Sequence, residues 1–293
     1  MTILRRGELV AHDGILHRHS AAGIGATGIS DYRRRWEDEA AEDHIRSAIA
    51  GGSPGPVDLA ALTAKTSPLW DRFPEGQQFE TVLEIGAGYG RIPLYLANSR
   101  EATWSTYCAV DISENMLREL LRYDERFGRN PDASLYPICV SADSLPLEND
   151  SVDLAITSAV FLHMGKGFVE RAVAEIARTL KPGGLFVFDV SFPNARNPAS
   201  IPSRLKPRRL RAPNFMKYWT REEIDALLQA TGLAAKAGAT TIEPAGYTLL
   251  PKSVGPLRVP LARRVNSALG PSPRRFRDIL ATTYDAYSTG LLA

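Results

Sequence analysis

Between residues 77 and 243 the apolar positions follow two alternating rhythms. TVLEIG, WSTYCAVDI, SLYPICVS, VDLAITS and LFVFDVSF are short runs, apolar on both parities, as expected of strands covered on both faces. Between them, RIPLYLANS, SENMLRELLRYDERF and KGFVERAVAEIARTL repeat apolar residues at helical spacing. Short strands alternating with longer helices predict parallel βαβ units, hence an α/β fold with a doubly wound sheet. Boundary signals agree with this reading. Ser113 is an N-cap, Thr220 with Glu223 makes a capping box, and Gly232 closes TREEIDALLQATG. The KPGG stretch, Lys181 to Gly184, suits a turn returning helix to strand. LAAKAGATTIEP reads as a sixth strand, and GYTLLPKSV is a candidate seventh that Pro251 confines to an edge.

The flanks carry a different pattern. Ser30 to Ala50 places Trp36, Ala40, His44, Ile45 and Ala48 near one helical face, and GGSPGP ends that helix. VDLAALTA and SPLWDRF read as shorter helical pieces. From residue 254 the chain is basic and punctuated by proline, with two helices expected. The expected organisation is an N-terminal helical lid over 1–76, a central domain over 77–253 with an insertion near 193–219, and a C-terminal helical extension over 254–293.

Composition narrows the function classes. A chain of 293 residues holds one large α/β domain or two small ones. A net charge of +2 gives no global pointer to nucleic acid or membrane. No apolar run approaches the ~20 residues that span a bilayer. MTILRRGELVAHDG lacks the apolar core of a signal peptide. Cys108 and Cys139 lie in strand-like runs and read as buried, reduced thiols, so a cytoplasmic location is expected. His12, His17 and His19 lack a cysteine or acid at ligand spacing, so no metal site is expected there.

Candidate chemistry begins at VLEIGAGYGR. Gly86 and Gly88 follow a strand, where open α/β sheets bind ligands, and they let a ligand approach bare backbone. A dinucleotide fingerprint wants a third glycine where Arg91 stands. Glu84, two residues before Gly86, sits badly against a pyrophosphate and well against a cation. The loop is therefore expected to hold a nucleotide without phosphates. Asp111 ends the next strand and suits two ribose hydroxyls. Asp143, after the third strand, suits an adenine amine, with the Ser144 N–H reaching a ring nitrogen.

In order and spacing, VLEIGAGYGRIPLYLA, AVDISENML, SADSLPLENDSVDLAITS and KPGG resemble the successive motifs of class I S-adenosylmethionine-dependent methyltransferases, over about residues 80–192. The resemblance implies a Rossmann-like sheet, mostly parallel with an antiparallel last strand. It implies that Glu84 and the backbone of Gly86, Ala87 and Gly88 lie beside the methionine part of the cofactor. Asp111 would take the ribose, Ile112 and Met116 the adenine face, and Asp143 and Ser144 its edge, with Ala142 and Ser158 as further candidate cofactor contacts. An N-terminal helix commonly lids such sites, which makes Tyr32 and Trp36 candidate cofactor contacts, partly through cation–π attraction.

His163, in SAVFLHM, follows the fourth strand and is the candidate general base, with pocket wall as the competing role. Asp189 ends the adjacent strand and is read either as orienting His163 or as bonded to nearby backbone amides. The acceptor is expected to be a small molecule methylated on a hydroxyl, such as a sugar or secondary metabolite. Nucleic acid is disfavoured, because no dedicated binding module is present and SAV stands where many amino-methylating nucleic-acid enzymes carry asparagine-proline signatures. Two basic segments, one with Arg204, Lys206, Arg208, Arg209, Arg211 and Lys217, the other from Arg263 to Arg277, suit either an anionic acceptor or solvated loops. A nicotinamide-dependent oxidoreductase and a non-catalytic cofactor-binding protein are the competing functions. The oligomeric state is open, a homodimer included.

Overall fold

The computed structural model describes residues 3–18, 57–63, 76–99, 102–128, 132–192, 219–235, 241–247 and 281–291. The strands are β1 (Leu9–His12), β2 (Ile15–Arg18), β3 (Gln77–Ile85), β4 (Ala102–Asp111), β5 (Ser134–Cys139), β6 (Val152–Thr157), β7 (Leu180–Phe192), β8 (Leu233–Ala235), β9 (Thr241–Tyr247) and β10 (Ala281–Leu291). The helices are α1 (Leu59–Leu62), α2 (Arg91–Ser99), α3 (Glu114–Phe127), α4 (Lys166–Thr179) and α5 (Arg221–Ala230).

One sheet takes the order β1-β2-β5-β4-β3-β6-β7-β10-β8, with β9 also paired to β10. From β3 the chain builds outward through β4 to β5, then crosses back to place β6 on the other side of β3. The C-terminal ends of β3 and β6 therefore border the crevice where the strand order reverses, and ligands bind there in open α/β sheets.

Both faces of the sheet are covered, which is why its strands are apolar on both parities. On one face, Leu83, Ile85, Ala155, Phe186 and Phe188 pack with Val169, Val173 and Ile176 of α4 and Ile224 and Leu228 of α5. On the other, Val82, Tyr107, Ile156 and Val187 pack with Ile92 and Leu96 of α2 and Leu117 and Leu120 of α3. Burying each such aliphatic side chain contributes about 1.5–3 kcal/mol. Cys108 and Cys139 are buried free thiols, as expected, and burial pushes the Cys108 thiol up to about 12.

The caps fall where the sequence placed them. Ser113 accepts from the Met116 N–H at 3.3 Å, and Thr220 and Glu223 form a reciprocal capping box. Gly232, with φ of 75°, follows the end of α5. KPGG is drawn into the start of β7, and the pairing of β6 with β7 slips between Val152 and Leu154.

The flanks hold two findings that the apolar pattern alone did not give. Residues 9–18 are a β-hairpin that extends the sheet, β2 lying parallel to β5. Its turn, Asp13-Gly14, has positive φ at both residues, as a two-residue hairpin requires. Residues 281–291, read as part of a helical extension, are instead the strand antiparallel to β7. They, not GYTLLPKSV, supply the antiparallel strand beside β7, because β10 inserts between β7 and the short β8 and β9. The expected helix Ser30–Ala50, with Tyr32 and Trp36, and the basic segments lie outside the described residues, Trp219 excepted.

Candidate functional site

The loop after β3 is held by backbone bonds. The Gly86 and Ala87 N–H groups donate to Val110 O at 2.8 and 3.0 Å, which ties the loop to the end of β4. Gly86 and Gly88 have φ of 70° and 55°. A Cβ on Gly86 would overlap the Val160 Cγ2 methyl, whereas a Cβ on Gly88 would meet nothing within 4 Å among the described residues. The loop is thus packed at Gly86 against the segment after β6.

Asp111 fastens the same loop. Its Oδ2 accepts from Gly88 N at 2.8 Å and its Oδ1 from Ser113 N at 2.9 Å. With the Ile112 backbone N–H as a third donor, about one of its four acceptor sites is left for a ligand hydroxyl. Desolvation raises its carboxyl, while the backbone N–H bonds of Ser113 and Gly88 oppose the shift.

Glu84 is 3% exposed and accepts from the Tyr107 hydroxyl at 2.7 Å. Burial pushes its carboxyl up to about 8, against the pull of the Tyr107 hydrogen bond and the Arg91 charge. Tyr107 is fully buried, its ring 5.1 Å from that of Trp104. Neither Tyr107 nor Arg91 was singled out from the sequence as a site residue. Tyr107 hides in an apolar strand, and Arg91 registered only as a missing glycine.

Asp143 is held from both sides. Ser141 Oγ donates to its Oδ1 at 2.5 Å, and Arg171 of α4 donates to Oδ2 through Nε and Nη2 at 3.1 and 3.0 Å. The Ser144 N–H donates to Ser141 O at 3.1 Å, so in this conformation it closes a turn. Ala142 is buried beside them. Met116 is packed with Val57, Leu62, Leu94 and Tyr123, and Ile112 is half-buried.

His163 ends a single 3-10 turn, Phe161–His163, just after β6. Its N–H donates to Val160 O at 2.9 Å. Phe161 anchors the turn by packing on Phe186 and Phe188 of β7, with ring centroids 6.3 and 6.2 Å away. Asp189, 2% exposed, accepts from Ala159 N at 2.8 Å and lies 3.4 Å from Ser158 Oγ. Arg91 Nη2 donates to the same Ser158 hydroxyl at 3.1 Å.

The donor set fits a cationic nucleoside. A buried acid whose carboxyl is pushed to about 8 is stabilised in its charged form by a ligand ammonium, a glycine backbone flanks it, and an acid with an acceptor position to spare stands at the end of the next strand.

A family described as a methyltransferase domain matches residues 83–188, the span that contains all of these groups except Asp189. This span is an S-adenosylmethionine-dependent methyltransferase domain. The chain is 27% identical over 208 residues to a malonyl-[acyl-carrier protein] O-methyltransferase of Geobacter sulfurreducens, covering 68% of this chain and 71% of that protein. It is 34% identical over 124 residues to a dimethylglycine N-methyltransferase of Parasynechococcus marenigrum, covering 41% of this chain and 39% of the relative. Among solved structures, the [4+2]-cyclase SpnF superposes with a TM-score of 0.57 at 18% identity, covering 92% of this chain and 99% of SpnF. The last likeness shows the fold alone. The cofactor of this methyltransferase is S-adenosylmethionine, and the nicotinamide alternative is set aside. No helix among its described residues is long and apolar enough to cross a membrane.

Proposed function

We propose that this methyltransferase acts on a hydroxyl of a small molecule, with His163 as the general base. The observation that carries the reading is the contact between the two loops at the crevice. Val160 occupies the space beside Gly86 that a side chain would need, and His163 follows three residues later on a turn anchored by Phe161. The base-bearing turn is thereby tied to the loop that would hold the methionine end of the cofactor.

Bound S-adenosylmethionine supplies an electrophilic methyl group on sulfur, removed by in-line displacement. The rest falls to the chain. Glu84 would hold the ammonium, Asp111 the ribose, and Asp143 the adenine amine through the one lone pair that Ser141 and Arg171 leave, on Oδ1. His163 would take the proton from the acceptor hydroxyl, since an imidazole has the ordinary titration range for a base near neutrality. Tyr32 and Trp36 would cover the cofactor from an N-terminal cap. A cytoplasmic setting and preference against nucleic acid belong to the same proposal. One relative methylates an oxygen and the other a nitrogen by their names, so the hydroxyl rests on the His163 argument. The test is a screen of hydroxylated, amino and carboxylated small molecules with labelled S-adenosylmethionine. Labelled ether products that disappear in His163→Ala support the reading. Products only on nitrogen, or undiminished turnover in His163→Ala, overturn it.

A further inference from the structure

Asp189 is a buried acid bonded to the segment that follows β6: Oδ1 takes the Ala159 N–H at 2.8 Å, and Oδ2 faces Ser158 Oγ at 3.4 Å. Ala159 has φ of 60°, a left-handed conformation that an L side chain avoids. Such strain persists only where surrounding bonds over-determine it, and it concentrates at functional sites. Here the over-determination is visible on both sides of Ala159. Before it, the Ser158 hydroxyl accepts from Arg91 and has its one proton to give to Asp189, which connects the start of α2 to β7. After it, Val160 rests against Gly86, and Phe161 against the β7 phenylalanines. The charge order Arg91, Ser158, Asp189 also gives the buried carboxylate a cationic counterpart, without which burial would be costly.

We propose that Asp189, Ser158 and Arg91 are positioning residues that lock the left-handed turn at Ala159, and so couple the glycine loop to His163. Arg91 begins the helix that leaves the glycine loop, and Val160 touches that loop directly. A ligand that settles on the loop therefore moves or stiffens the His163 turn. The proposal rests on the reading of the crevice as the cofactor site, and it assigns Asp189 to loop geometry.

The test uses S-adenosylhomocysteine and the ring resonances of His163, assigned by difference against His163→Gln among the five histidines of the chain. In the unaltered protein, saturating S-adenosylhomocysteine shifts the His163 ring signals. Asp189→Leu, which removes the acceptor of the Ala159 N–H, loses at least half of that shift at saturation, and adding Ala159→Gly restores it, because glycine adopts the left-handed turn without help. A core defect would not be cured by that second change. If Asp189→Leu does not fold, Ser158→Ala carries the test, with the same loss expected because it removes the link between Arg91 and Asp189. A full His163 shift in folded Asp189→Leu or Ser158→Ala overturns the proposal, as does a double variant that stays uncoupled. Absence of a His163 shift in the unaltered protein, despite S-adenosylhomocysteine binding, overturns it alone. Failure of the unaltered protein to bind S-adenosylhomocysteine overturns it together with the reading of the site.

Discussion

The Tyr107 hydroxyl donates to Glu84 Oε2 at 2.7 Å in the interior of the sheet, and the carboxyl it meets is raised to about 8 by burial. Raising an acid above its unfolded value of 4.5 means that the folded state keeps a proton the unfolded state has lost. Below about pH 4.5 both states are protonated and the full stability is present. Between 4.5 and about 8 only the folded chain holds the proton, so stability falls as pH rises, by at most ~1.4 kcal/mol per unit from this group. Asp111, also raised, acts in the same sense. Urea midpoints across that range should therefore decline for the unaltered protein and decline less for Glu84→Gln.

The same proton reports on the cofactor. A ligand ammonium favours ionised Glu84, so S-adenosylhomocysteine should release a proton on binding near pH 7. Calorimetry in two buffers of different ionisation enthalpy reads this directly. The buffer dependence should vanish in Glu84→Gln.

Removing the Tyr107 hydroxyl leaves a buried acid short of a donor. Tyr107→Phe should destabilise the fold by about 1–3 kcal/mol and move the Glu84 titration higher still. Equilibrium unfolding at pH 5, where Glu84 is neutral, should show the smaller loss, and unfolding at pH 9 the larger.

Two glycines in one loop should respond differently to alanine. Gly86→Ala collides with Val160 and strains a φ of 70°, so it should cost several kcal/mol or prevent folding. Gly88→Ala meets none of the described residues within 4 Å and should cost only about 1–2 kcal/mol in backbone strain. Its methyl group would enter the volume assigned to the cofactor, so S-adenosylhomocysteine affinity should fall by tenfold or more while the melting temperature drops by only a few degrees. Calorimetry and thermal unfolding on the same samples separate the two effects.

Arg171 holds Asp143 from the exposed side of α4. Arg171→Ala should leave stability within about 1 kcal/mol, because a half-exposed ion pair contributes little. S-adenosylhomocysteine should bind several-fold more weakly if Asp143 needs that guanidinium to aim its free lone pair. An unchanged dissociation constant would remove Asp143 from the adenine site or show that Ser141 suffices.

The chain by itself determined whatever depends on neighbours in sequence. Doubly apolar runs specified covered strands, the helical repeats specified α2, α3 and α4, and Ser113, Thr220 and Glu223 specified helix starts, because capping is a bond across three residues. That Glu84, Gly86, Gly88 and Asp111 gather at neighbouring strand ends was legible, because strand ends in a doubly wound sheet converge by rule. Asp13-Gly14 carried a readable hairpin signal too, within a segment otherwise read for helices. Tertiary structure alone decided the partners. Tyr107 meets Glu84 across 23 residues, Asp189 meets Ala159 across 30, and Arg91 meets Ser158 across 67. Residues 281–291 became the antiparallel strand because an open edge of β7 was available to pair them. None of these pairings has a local signature, since each is fixed by which strands lie side by side and by which face a two-residue period turns inward.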